Sequence, residues 1–259
     1  MKKISFVVFF ISVSSMLFLF GCKKNDAVDQ VTPHDTIPAS TEQLFSFQLQ
    51  TTVGNIPADF VSVFTDATGR KFSLSDFRFY LSKIVLIKDD NNELPITDTV
   101  ILGSITQQTF PLAVIPVGSY KGFKFLFGLD SATNHSDPTI YPSSSPLSLQ
   151  NNPLHWSWNS GYIFMKLEGL ADTTLNNTGT PNENIVYHLG TDKIKRDIDF
   201  SNESFTVVSG TNYVMKLNID LRKLLQDVDL RTDLITMSPG NLPLSSKIAD
   251  NWQSTFTIQ

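Results

Sequence analysis

Hydrophobic residues recur at every second position over long stretches of this chain, and that period dictates strands rather than helices. Phe45-Ser46-Phe47-Gln48-Leu49-Gln50 alternates strictly, as a half-buried strand does. A longer run, Phe77 to Ile87, is rich in aromatic and β-branched residues and is entered through the turn Asp66-Ala67-Thr68-Gly69. It ends at the hairpin signal Asp89-Asp90-Asn91-Asn92. Further strands are predicted at Val100 to Leu102, Tyr120 to Phe127, Ile185 to Leu189, Glu203 to Val208 and Asn212 to Ile219. Helical spacing occurs only in short pieces, at Leu221 to Asp227 and at Pro243 to Gln253, where Leu244, Ile248 and Trp252 share a face. Strands and helices do not alternate, which argues against a parallel α/β sheet. The expected fold is all-β: an antiparallel, Greek-key-like β-sandwich with one or two short helices and long loops at 129–155 and 170–184.

The beginning of the chain reads as an address. Lys2-Lys3 precedes an apolar run from Ile4 to Phe20 that is broken only by serine and followed by Gly21-Cys22. Its length and flanks fit a secretory signal peptide, residues 1–21, rather than a spanning helix. Leu19-Phe20-Gly21-Cys22 resembles the bacterial lipobox, with Phe20 bulkier than that motif usually carries. The resemblance implies cleavage before Cys22 and lipidation there. Cys22 is the only cysteine, so no internal disulfide can form. Residues 22–43 are polar and rich in Pro, Thr and Ser, a composition suited to a flexible tether. Lys23, rather than an aspartate, follows the cysteine, which points to an outer-membrane lipoprotein of the cell envelope, periplasmic or surface-exposed.

Loss of Lys2 and Lys3 with the signal takes the formal charge from −5 to −7. Such an acidic domain has no electrostatic case for nucleic acid. Residues 44–259 are expected to form one β domain. Of the twenty phenylalanines, five lie in the signal and the other fifteen supply its core without a disulfide.

The densest local signal is His155-Trp156-Ser157-Trp158, which runs into the alternating segment Gly161 to Gly169. Two of the three tryptophans stand two apart, beside an imidazole. On a strand the two indoles share one face. In the segment that follows, Tyr162, Phe164 and Lys166 lie on one side and Ile163, Met165 and Leu167 on the other. The plain alternative is an aromatic core strand with a surface histidine. No GxSxG, HExxH, phosphate loop or paired-cysteine motif is present, so the chain is read as a non-enzyme. Asp130 to Asp137 is rich in oxygen atoms but lacks the acidic spacing and central glycine of a calcium loop, and a turn-rich segment accounts for it better. His34 lies in the tether; His135, His155 and His188 remain as candidate ligands, the last inside a strand. Met165 and Met215 read as core residues.

Four separated motifs occur in order: Phe77 to Ser82, Gly118 to Asn134, Trp156 to Gly169 and Tyr187-His188-Leu189-Gly190. Together they resemble the MbnP-like copper-binding family over roughly residues 44–258. The resemblance implies an extracytoplasmic β-sandwich that binds copper. It also implies a partner, a di-haem enzyme of the cytochrome c peroxidase type, that oxidises a tryptophan to kynurenine. By that resemblance His188 is the strand histidine and Trp156 or Trp158 the oxidised residue, with His155 or His135 as second imidazole. Asn134, Glu168 and Gly161 fall on motif positions that look structural, namely a loop cap, a strand-end carboxylate and a bend. The four-cysteine pattern of one branch is absent. A second reading is a metal-free cell-surface module for a protein or organic ligand, with Trp156 and Trp158 as a stacking platform.

Overall fold

The alternating segments do become strands, and they assemble into two sheets. The structure, a computed structural model, describes residues 40–149, 154–156 and 161–259. The signal peptide, Cys22, almost all of the tether and Trp158 lie outside the described residues. Ala39–Gln259 forms one compact unit.

The smaller sheet contains β1 (Glu42–Val53), β2 (Ile56–Pro57), β7 (Gln108–Pro116), β14 (Tyr213–Asp220) and β16 (Phe256–Ile258). The larger is built on β4 (Lys71–Lys88), β8 (Gly118–Phe127), β10 (Gly161–Ala171) and β11 (Glu183–Gly190). Its margins carry β3 (Val63–Thr65), β5 (Glu93–Pro95), β6 (Val100–Ser104), β9 (His155–Trp156), β12 (Arg196–Phe200), β13 (Phe205–Val207) and β15 (Ile235–Met237).

Two ladders depart from the expected antiparallel pattern: β1 runs parallel to β14, and β11 parallel to β15. Both pairs join segments far apart in sequence, so no tight hairpin forces them antiparallel. The helices are shorter and more numerous than expected. They are α1 (Ser131–Asn134), α2 (Leu221–Leu224), α3 (Leu242–Asp250) and α4 (Trp252–Thr255). The predicted helix at 243–253 is divided at Asn251, which closes α3 and begins α4. Its side-chain amide donates to the carbonyls of Leu224 and Gln226, tying the break to the turn after α2.

Phenylalanines fill the space between the sheets. Phe47 of β1 lies 5.6 Å from Phe123 and 5.9 Å from Phe125 of β8, ring centre to ring centre. Trp252 stacks on Phe127 at 4.3 Å, and Phe79 closes on the same indole at 5.1 Å. These side chains are fully buried, as are Phe77, Met165, Leu167, Tyr187 and Leu189 on the same inner face of the large sheet. Met165 and Met215 are core residues, as their place in the alternation requires.

Candidate functional site

The site lies on the opposite face of the large sheet, where strand alternation places Asp76, Arg78 and Tyr80 of β4 and Tyr162, Phe164, Lys166 and Glu168 of β10. Register fixes the rows. Lys166 pairs with Arg78 on one side and His188 on the other, and His188 pairs in turn with Met237 of β15. The next row is Asp76, Glu168, Val186 and Ile235.

At one end this face is sealed. Tyr80, Tyr162 and Phe164 are buried, the two tyrosines beneath the chain that follows α1. The Tyr80 hydroxyl donates to the Pro146 carbonyl at 2.9 Å and that of Tyr162 to Leu147 at 2.7 Å. Burial pushes the Tyr162 hydroxyl up to about 12. The oxygen-rich segment is the framework of this cover rather than a cation loop. Asp130 caps α1 through the amides of Ala132 and Thr133, and Asp137 caps the next turn through Thr139. Buried Asn134 accepts from the Tyr162 amide and donates to Asp192, so its motif position is structural, as expected.

The other end is charged. His188 Nε2 is 2.8 Å from Glu168 Oε1, and Lys166 Nζ is 3.1 Å from that same oxygen. Lys166 also reaches Asp76 at 3.0 Å, and Arg78 meets Asp76 at 2.6 Å. The two carboxylates and two cations balance. Burial holds the His188 imidazole below its ordinary value, against the opposing pull of the Glu168 carboxylate, so the ring is biased toward neutral. Burial alone would raise Asp76, but its hydrogen bonds to Arg78 and Lys166 win and hold it low. Glu168 lies within β10 rather than at the strand end expected for it, and that is what brings it to His188. The sequence signal for this was available: Lys166 and Glu168 stand two apart in an apolar strand.

Trp156 joins the two ends. It is buried and packs over Gly190, two residues beyond His188 and on the same side of β11. A Cβ on Gly190 would come within 2.5 Å of both Trp156 Cζ3 and the Tyr162 carbonyl oxygen, so close approach of the indole requires glycine there. A cleft of about 340 Å3 opens beside it, lined by His135, Trp156, Thr191, Asp192, Pro239 and Leu242.

The three candidate histidines stand on different elements. His135 ends α1, exposed, with Nε2 3.5 Å from Asp192 Oδ2. His155 pairs with Tyr162 in the β9–β10 ladder, its ring edge-on to the tyrosine at 4.9 Å, and burial holds its imidazole low. Tyr162 is four residues, or about 13 Å of strand, from the Lys166 row that holds His188. Of the two imidazoles expected as partners for His188, His155 or His135, the ladder sets His155 four residues along β10 from it. Among the described residues no group of three or more His, Cys, Asp and Glu side chains surrounds a common point.

Fold and site define a β-sandwich with a neutral-biased histidine and a buried tryptophan outside its larger sheet. The sequence model of the MbnP family matches residues 42–241, and the chain belongs to that family. Among solved structures, MbnP from Methylosinus trichosporium is similar with a TM-score of 0.53 at 14% identity, over 74% of this chain and 80% of that one. At that identity the likeness speaks for the fold. No curated protein matches the sequence.

Proposed function

We propose that this protein is an extracytoplasmic copper-binding lipoprotein, anchored through Cys22 and tethered to its sandwich domain by residues 22–43. The observation that carries the reading is His188, whose Nε2 is engaged by a carboxylate. A carboxylate on one ring nitrogen is the usual second partner of a metal-bound imidazole, and it directs the other nitrogen to the ion. The donor set fits a soft or borderline ion. The network around His188 carries no excess negative charge to attract a hard dication, and imidazole suits copper in either oxidation state.

In this reading His188 holds the ion, Glu168 fixes the ring, and Lys166 keeps the carboxylate satisfied. Trp156 or Trp158 is the residue oxidised to kynurenine, with the oxidant supplied by a di-haem partner. Kynurenine offers an aniline nitrogen and a ketone, whereas indole N–H can only donate. The role in this reading is binding rather than catalysis. No helix among the described residues is long and apolar enough to cross a membrane.

The test is protein purified from its native host, measured for copper and for the mass of the peptide carrying Trp156 and Trp158. Copper together with the mass of kynurenine supports the reading. Metal-free protein with unmodified tryptophans favours a binding module, for which the cleft beside Trp156 is the natural ligand site.

A further inference from the structure

Where β4 begins and β10 ends, beyond the row of Asp76 and Glu168, the protein carries a second cleft, of about 740 Å3. Its size falls in the ordinary range for small-molecule sites, about 300–1,000 Å3. Three segments line it: the β3–β4 turn from Asp66 to Arg70, Leu175 of the β10–β11 loop, and the chain from Leu225 to Arg231 that follows α2. It shares no lining residue with the cleft beside Trp156.

Arg70 anchors this cleft. The residue is drawn into the fold until only 8% of it is exposed. Its Nη1 donates to the carbonyls of Asp172 and Thr174, the latter at 3.0 Å, which fixes the guanidinium plane. Among the described residues Nε and Nη2 make no hydrogen bond, and no carboxylate pairs with the group. Both nitrogens keep contact with solvent, through the cleft that Arg70 lines. The neighbouring carboxylates are engaged elsewhere. Asp66 Oδ1 takes the amides of Thr68 and Arg70, Asp172 Oδ1 takes the Thr174 amide and hydroxyl, and Asp229 Oδ1 takes the Arg231 amide. A buried cation without a counter-ion is costly. The edge formed by Nε and Nη2 is the fork that holds a carboxylate through two parallel hydrogen bonds.

The rest of the lining decides what carries that carboxylate. Three acids, Asp66, Asp227 and Asp229, stand against two guanidinium groups, Arg70 and Arg231. Asp227 is exposed, holds a left-handed φ of 61°, and has no hydrogen bond or ion pair among the described residues. A plain anion is opposed by the surplus of acid, and a plain cation by Arg70. A molecule that carries both charges satisfies both sides. Buried Leu225 and Val228 supply an apolar wall, and exposed Leu175 adds to it. We propose that this cleft binds a small aliphatic zwitterion, an amino acid or a short peptide with the same end groups. Its carboxylate sits on the Arg70 fork and its ammonium faces Asp227. The proposal does not depend on the copper reading.

The experiment is isothermal titration calorimetry on the full mature chain. The ligands are L-leucine and L-leucyl-L-leucine, with N-acetyl-L-leucine and L-leucinamide as counterparts that each lack one charge. At least one zwitterion should saturate the protein with a Kd of about 1 mM or tighter, and the tighter of the two identifies the source. Removing either charge should weaken binding about tenfold or more. Arg70→Lys keeps the charge without the fork and should weaken leucine binding about tenfold. Because Nη1 also braces the loop at Asp172 and Thr174, Asp227→Asn is the second variant. Asp227 is exposed and asparagine accepts the same left-handed backbone, so an unchanged melting temperature is expected. This variant should weaken the zwitterions about fivefold and leave N-acetyl-L-leucine no weaker. The proposal is overturned if neither zwitterion binds saturably, if N-acetyl-L-leucine or inorganic phosphate binds as tightly as leucine, or if Asp227→Asn has no effect.

Discussion

The outer face of the large sheet has two ends, built from the same strands β4 and β10 and closed in different ways. At the first, Tyr80, Tyr162 and Phe164 are buried, the two tyrosines beneath the segment after α1, and two phenolic hydroxyls satisfy backbone carbonyls of that cover. At the second, Asp76, Arg78, Lys166, Glu168 and His188 satisfy one another. The first end is held by apolar area and has nothing to exchange. The second is held by charges and hydrogen bonds. Trp156, over Gly190, stands where one gives way to the other.

That contrast can be broken by substitution. Phe164→Ala at the sealed end should cost about 3–5 kcal/mol, the range for losing a fully buried phenylalanine, seen as a large drop in melting temperature. Lys166→Ala at the charged end should cost about 1–3 kcal/mol, because it leaves two half-buried carboxylates without their shared cation. Chemical denaturation would measure it, and recovery with Lys166→Arg would identify charge as the cause.

Gly190→Ala acts at the junction and should cost about 1–3 kcal/mol through overpacking against Trp156. A shifted tryptophan fluorescence spectrum would show the indole displaced. An unchanged spectrum and stability would mean that the indole does not pack on β11.

The smallest effect is the response to pH, which has the same sign at both ends. His188 titrates below its ordinary 6.5 in the folded chain, so the unfolded chain binds its proton first. The resulting stability is present above that value and is lost as pH falls toward the folded one. Asp76 lies below its ordinary 3.8, so its contribution is present above 3.8 and is lost on further acidification. Stability should therefore fall in two acid steps. His188→Gln should shrink the upper step, which buried His155 shares, and Asp76→Asn should shrink the lower, which the other carboxylates held low share, while Tyr162→Phe should leave both in place.

Much of the fold was legible because alternation is a local signal. Phe45 to Gln50 and Phe77 to Ile87 announce β1 and β4, and Tyr187-His188 announces β11. The short strand β15 was not legible: three residues cannot display a period, and its pairing with β11 is set by α3 and the Ser245 hydroxyl. The site was legible as residue types, with His188 and Trp156 both singled out, but not as partnerships. Glu168 meets His188 only because β10 and β11 pair in one register. His155 fails to meet His188 because it pairs four residues away along β10. A sequence names candidate donors, but ladder register decides which of them face each other.

Copper titration most directly tests whether the charged end is the functional one. Cu(I) should be titrated anaerobically into the unaltered mature chain, into His188→Ala and into Tyr162→Phe, with melting temperatures recorded on the same samples. The account predicts saturable binding by the unaltered chain, its loss in His188→Ala at little cost to melting, and its retention in Tyr162→Phe. Binding that survives His188→Ala, or that is lost only with Tyr162→Phe, would contradict it.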